Sequence, residues 1–180
     1  MQKIIFVLFI LLPLVSQAQY ITGIGTKWDD AFTEWTIYSD DEAIQGELRA
    51  RWAMRDDWTQ WDYYLEEEKG TATMPWKNDP TQWEFRGYDN EVITCRTKWK
   101  NDFSEWRITD NKTTLTLRSR WRDNMNEWIV VDREYGEFAI YTLWENDPRE
   151  WEIFDELDEE ISFNMKMAIV FISIYHSFPK

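Results

Sequence analysis

The sequence predicts a mainly β protein. The expected architecture is a closed antiparallel up-and-down β-barrel of about twelve strands, built from six Trp-flanked β-hairpin repeats and plugged by a C-terminal apolar helix. Three observations predict it. The first is a recurring motif of Trp, any residue, two Asn/Asp, one apolar residue, Ser/Thr, Glu/Gln and Trp. It runs from Trp99 to Trp106 and recurs at Trp28–Trp35, Trp76–Trp83, Trp121–Trp128 and Trp144–Trp151, with a sixth copy, Trp52–Trp61, two residues longer. The leading tryptophans step by 24, 24, 23, 22 and 23 residues, which is the signature of a repeat architecture. The second observation is strict alternation on both sides of the motif. The third is a nearly unbroken apolar run at the C-terminal end.

Taken in order, the chain of 180 residues starts with an export signal. Lys3 supplies charge, Ile4 to Val15 form an apolar stretch, and Ser16-Gln17-Ala18 places small residues where a signal peptidase reads them. The apolar stretch is shorter than the ~20 residues of a membrane span, so an N-terminal anchor is the weaker reading. No cysteine lies just after the stretch, so a bacterial-type lipid anchor is not expected. The expected organisation is a signal peptide over 1–18, a six-repeat hairpin barrel over 19–155 and an apolar helix over 156–180. The mature protein is expected to be exported, either periplasmic or secreted.

Within each repeat the arm before the leading Trp alternates. Leu115, Leu117, Ser119 and Trp121 share one face, while Thr114, Thr116, Arg118 and Arg120 share the other. Ile93, Cys95, Thr97 and Trp99 repeat this, as do Phe138, Ile140, Thr142 and Trp144. A period of two with one apolar face is a half-buried strand. The arm after the second Trp behaves alike, with Trp106 and Ile108 on one face and Arg107 on the other. Between the arms, Asn and Asp followed by Pro or another apolar residue make a turn, because Asx side chains bond backbone two residues on. On parity, all twelve motif tryptophans are expected inward, as core. Trp58 falls in a turn.

The last segment, Ile161 to Phe178, is apolar nearly all round, with Asn164, Lys166 and His176 as exceptions. The acidic residues from Asp155 to Glu160 suit a helix start and Pro179 its end. A helix apolar on every side is buried or in a membrane. Twelve strands at ~4.8 Å spacing and ~40° tilt close into a barrel of radius roughly 12 Å. A helix and one layer of inward side chains fill that radius. Closure also removes the edge strands that a long meander exposes. A C-terminal membrane anchor is the rival reading, and the ionisable residues inside the run count against it.

Composition narrows function. The net charge of −14 argues against nucleic acid, which needs a basic footprint, and against simple attraction to anionic lipid. Cys95 is the single cysteine, so no internal disulfide forms. Cys95 faces the expected core, and the single histidine, His176, lies in the apolar run, so no catalytic residue is singled out. The paired Asn/Asp residues of the turns lack the order of a Ca²⁺ loop, so no metal or other cofactor is expected.

The functional lead is the turn position three residues before each second Trp. It holds Phe32, Trp58, Pro80, Phe103, Met125 and Pro148, all expected at one end of the barrel. Phe32, Trp58, Phe103 and Met125 are the candidate ligand-binding residues. They form either an apolar rim that contacts lipid or another amphiphile, or a set of lids over the Trp core. The alternative partner is a glycan, bound by exposed aromatics such as Trp58, Tyr63 and Tyr64. A glycan site needs aromatic faces beside polar groups, whereas lipid contact needs a convex apolar collar.

A twelve-strand antiparallel barrel threaded by a C-terminal apolar helix resembles the tubby-like and phospholipid-scramblase barrels. The Trp-flanked hairpins in radial series, from Tyr20 to Phe178, also resemble the bacterial β-flowers. The resemblance is one of architecture. It implies a helix inside the barrel and an association with membranes or lipids. No residue motif of the tubby family is matched, and its basic headgroup site has no counterpart here.

Overall fold

A computed structural model describes residues 21–55, 57–121 and 123–177; the expected signal peptide over 1–18 lies outside the described residues. The strands are β1 (Ile21–Trp28), β2 (Ala31–Ser39), β3 (Gln45–Trp52), β4 (Asp57–Leu65), β5 (Glu68–Thr73) and β6 (Gln82–Gly87). They continue as β7 (Val92–Trp99), β8 (Asp102–Thr109), β9 (Thr114–Trp121), β10 (Asn124–Asp132), β11 (Gly136–Trp144) and β12 (Asp147–Leu157), followed by a helix, α1 (Phe163–Tyr175). Every strand pairs antiparallel with its neighbours in sequence, and β1 closes on β12 through Gly23↔Glu152, Ile24↔Trp151 and Gly25↔Glu150. The result is the closed twelve-strand barrel expected from the parity.

The alternating residues meet inside. Ile24, Ile37, Leu48, Phe85, Ile93, Cys95, Ile108, Leu115, Leu117 and Ile140 are fully buried. The helix fills the axis, and all its residues from Asn164 to Tyr175 are buried. Its side chains touch the wall on several sides. Phe171 packs edge-on to Trp61, Trp83 and Phe85 at centroid distances of 5.5, 4.7 and 5.5 Å.

The helix is shorter than the apolar run. It spans 13 residues where the run from Ile161 to Phe178 suggested more. Its start is set by Ser162, whose hydroxyl accepts from the Met165 N–H, and not by the acidic residues. Asp155 and Glu156 extend β12 instead, and Asp158 caps the connecting turn by accepting from the Glu160 N–H. Geometry gives the reason. Thirteen helical residues rise ~20 Å, and an eight-residue strand tilted by ~40° rises about as much. The helix stops where the barrel does.

Two polar contacts fix the helix in register. Lys166 donates to Asp155 Oδ2 at 2.7 Å, and the two side chains are 3% and 1% exposed. Asn164 accepts from the Tyr63 hydroxyl at 2.8 Å and donates to Glu91 at 2.8 Å. Gly70 and Gly87 pair across β5 and β6 at this level. A Cβ on Gly87 would collide with the Asn164 amide, and one on Gly70 with the Tyr63 hydroxyl. Both glycines make room for this lock. Burial pushes the Tyr63 hydroxyl pKa far up, so it is a donor at all ordinary pH values.

The tryptophans divide into two sets, which corrects the expectation that all twelve point inward. The second tryptophans, Trp35, Trp61, Trp83, Trp106, Trp128 and Trp151, are buried. The leading ones, Trp28, Trp52, Trp76, Trp99, Trp121 and Trp144, are 41–67% exposed. The alternation breaks just before the hairpin tips, where register shifts fall between Thr26 and Trp28, Ala50 and Trp52, Thr97 and Trp99, and Thr142 and Trp144. Such a bulge adds twist and re-aims the next side chain. The space inside is already filled by the second tryptophans and the end of the helix.

Candidate functional site: the hairpin-tip end

The tips that join β1 to β2, β3 to β4, β5 to β6, β7 to β8, β9 to β10 and β11 to β12 lie at one end of the barrel, as an up-and-down meander requires. The end of the helix lies there too: Phe103 stacks on His176 at 4.8 Å, and Ser177 donates to the Met125 carbonyl.

Five of the six tips are built by the same Asx device, the first having Ala31 at the accepting position. Asp57 accepts from the Thr59 N–H, Asp79 from Thr81, Asp102 from Ser104, Asn124 from Asn126 and Asp147 from Arg149, at 2.8–3.1 Å. Asn78, Asn101 and Asn146 take positive φ at three of the tips. These polar side chains are spent on the turns. Among the described residues no group of three or more His, Cys, Asp or Glu could hold a metal ion. Burial raises the Cys95 thiol pKa well above its ordinary value, which leaves it protonated in the core.

Phe32, Trp58, Phe103 and Met125 are brought together at this end, half-buried and packed against the core. Phe32 tilts over Trp35 at 6.0 Å, Trp58 over Trp61 at 5.7 Å and Phe103 over Trp106 at 6.3 Å. Their carbonyls, with that of Pro148, accept the indole N–H of the second Trp three residues on, at 2.8–3.0 Å. These residues are lids over the buried indoles, and only part of each surface faces outward. Trp58 lies on β4, not in a loop. Of the other aromatics considered as glycan contacts, Tyr64 is exposed and Tyr63 is buried.

Parity reasoning missed the belt of exposed indoles. Each leading Trp lies on the outer wall, and five of the six are pinned there. Trp28 donates its indole N–H to Glu34, Trp52 to Gln60, Trp99 to Glu105, Trp121 to Glu127 and Trp144 to Glu150, at 2.8–3.1 Å. The acceptor is always the residue just before the second Trp. Because the second Trp points inward, its neighbour points outward, and so must any donor that reaches it. That invariant Glu/Gln was the signal that could have placed the belt outside.

Cations complete the pattern. Lys27, Lys98 and Arg120, each one residue before a leading Trp, form ion pairs with Glu34, Glu105 and Glu127. Hydrogen bonds from Lys98 and then from Trp99 hold the Glu105 carboxyl below its ordinary range. Arg55 lies over the Trp52 ring at 5.3 Å, and Lys98 over that of Trp99 at 5.9 Å. The outer wall at this end therefore alternates fixed aromatic faces with charged hydrogen-bonding groups. One shallow groove between hairpins is lined by Trp121, Asn124, Asn126, Glu127, Tyr141, Thr142 and Glu145.

Comparison with protein-family models, with curated proteins and with solved structures finds no match. The fold and the tip geometry therefore carry the functional argument.

Proposed function

We propose that this is an exported, non-enzymatic binding protein that works through its hairpin-tip end, and that the exposed indole belt stacks on carbohydrate. One observation carries the reading: five exposed indoles are pinned by their N–H groups to neighbouring acidic or amide side chains. A ring held in place loses little rotamer freedom when a ligand arrives. Each indole offers one apolar face for sugar C–H groups, with Glu, Lys, Arg or Asn side chains near its edge to meet hydroxyls.

A lipid surface or other amphiphile is the second reading. It is favoured by the place of Phe32, Trp58, Phe103 and Met125 at the same end, circled by indoles as at a membrane interface. The resemblance to tubby-like, scramblase-like and β-flower barrels points the same way. Against it, inserting the tips would take the carboxylates of Asp29, Asp30 and Asp102 out of water, which is costly for charged groups.

A glycan array and liposome sedimentation, run side by side on the full-length protein, test the proposal. The expected outcome is a glycan ligand whose binding falls at least tenfold in the double variant Trp99→Ala/Trp121→Ala, with the melting temperature nearly unchanged. Binding to liposomes with no glycan recognised, lost on changing Trp58 and Phe103 together to Ser, would replace the glycan reading with the lipid one.

A further inference from the structure

The third hairpin differs from the rest. Its ladder stops early: β5 ends at Thr73, β6 starts at Gln82, and paired register runs only from Gly70↔Gly87 to Thr73↔Glu84. Pro75 and Pro80 explain this, since neither has an N–H to give the ladder. The tip is held by a few backbone bonds, among them Met74 N–H to the Thr59 carbonyl at 2.8 Å and Asp79 N–H to the Trp76 carbonyl at 3.0 Å. The neighbouring second hairpin is the long one, and its extra residues form a short 3-10 turn at Ala53–Arg55. A long tip beside an open one leaves a gap.

That gap is a cleft of about 530 Å³. Trp58, Met74, Pro80 and Tyr175 give it apolar surface, and Arg55, Asp57, Thr59, Lys77 and Asn78 give it polar groups. Tyr175 ties the cleft to the core by packing edge-on against Trp83 at 4.7 Å. The Trp83 indole N–H is the only second-Trp N–H, among the described residues, that is buried with no acceptor. In the other five repeats the lid carbonyl fills that role. The missing bond is an independent sign that the third lid has moved away from its usual seat.

The charges in the cleft are specific. Asp57 is committed to the turn, accepting from the Thr59 N–H at 3.0 Å and from its hydroxyl at 2.6 Å. Neither Arg55 nor Lys77 takes part in an ion pair among the described residues. Arg55 rests on the Trp52 ring, which leaves its edge available to an anion. On a chain of net charge −14, two cations with one engaged carboxylate make a locally attractive spot for a negative group. A cleft of this volume accepts a single small molecule.

We infer that this cleft binds one small amphiphilic anion, an apolar body laid against Trp58, Met74 and Pro80 with an acidic headgroup held by Arg55 and Lys77. The cleft borders the indole belt at Arg55, which lies over the Trp52 ring, and it stands whether or not the belt takes glycan. Decanoate below its micellar concentration is the probe, titrated calorimetrically into the full-length protein. Saturable one-to-one binding is expected, at least tenfold weaker in Arg55→Gln/Lys77→Gln. Both side chains are exposed, so the variant should melt with the parent, and the cationic analogue decyltrimethylammonium should bind at least tenfold more weakly than decanoate. The inference is overturned if decanoate shows no saturable binding, if the double variant binds it as well as the parent, or if the cationic analogue binds equally well. The single variant Lys77→Gln should weaken decanoate binding while leaving glycan and liposome binding unchanged, which separates failure of the cleft from failure of the belt.

Discussion

At the scale of the residue, the two tryptophans of one motif have opposite roles although they bracket the same turn. Trp106 is fully buried and donates to the Phe103 carbonyl at 2.8 Å. Trp99, at the other end of the motif, lies on the wall and donates to Glu105 at 2.8 Å. Removing the first opens a cavity against Phe103 and His176, whose rings lie 6.3 and 4.9 Å away. Trp106→Ala should therefore cost about 3–5 kcal/mol in urea denaturation. Trp99→Ala loses one exposed hydrogen bond and should stay within about 1 kcal/mol of the parent. Equal losses from the two changes would mean that the leading indoles are structural, and the belt would lose its standing as a working surface. Parity alone could not make this distinction. Thr97 and Trp99 have the same parity as Cys95, and only the register shift between Thr97 and Trp99 breaks the alternation. A bulge leaves no mark in the hydrophobic pattern; it showed only indirectly, in the outward Glu105 that needs an outward donor.

At the scale of the element, the helix shows how polar residues in an apolar run decide its place. Asn164 and Lys166 argued against a membrane anchor from sequence, and both now have partners on the barrel wall. What the sequence left unreadable was where the helix begins. Acidic residues near its start suited a helix N-terminus, but Asp155 is required in β12 to meet Lys166, and Ser162 does the capping. Tertiary pairing outweighed the local preference. Buried ion pairs are costly to break from one side, because the remaining charge keeps its desolvation penalty. Asp155→Ala takes the carboxylate away from a Lys166 that is 3% exposed and should destabilise by about 3–5 kcal/mol. Replacing both residues together, Asp155→Leu with Lys166→Met, should recover most of that loss. If Asp155→Ala melts with the parent, the pair does not anchor the helix and its register is set by apolar packing alone.

At the scale of the whole molecule, wall and helix each leave the other with unburied apolar surface. The wall contributes an inner layer of fully buried Trp, Phe, Ile and Leu, and twelve strands close too wide for that layer to meet across the axis. The helix brings Met165, Met167, Ile169, Val170, Phe171, Ile172 and Ile174, each almost fully buried. Both halves were legible before the structure, one from period two and the other from the absence of any period, and the strand count fixed the radius that fits them together. The cleft beside the third hairpin was not legible, because it depends on how far Pro75 and Pro80 open one tip next to a longer one. The fit of wall to helix makes a strict expectation about truncation. A chain ending at Ile161 keeps every strand and the closing β1–β12 pairs but exposes the interior along its whole height. It should aggregate or become molten, with strong dye binding, loss of near-ultraviolet dichroism and no cooperative melting transition. Adding a synthetic peptide covering Ser162 to Lys180 during refolding should restore the transition. A truncated chain that stays soluble and melts cooperatively near the parent temperature would show that the barrel is self-sufficient and that the helix is not the core on which it closes.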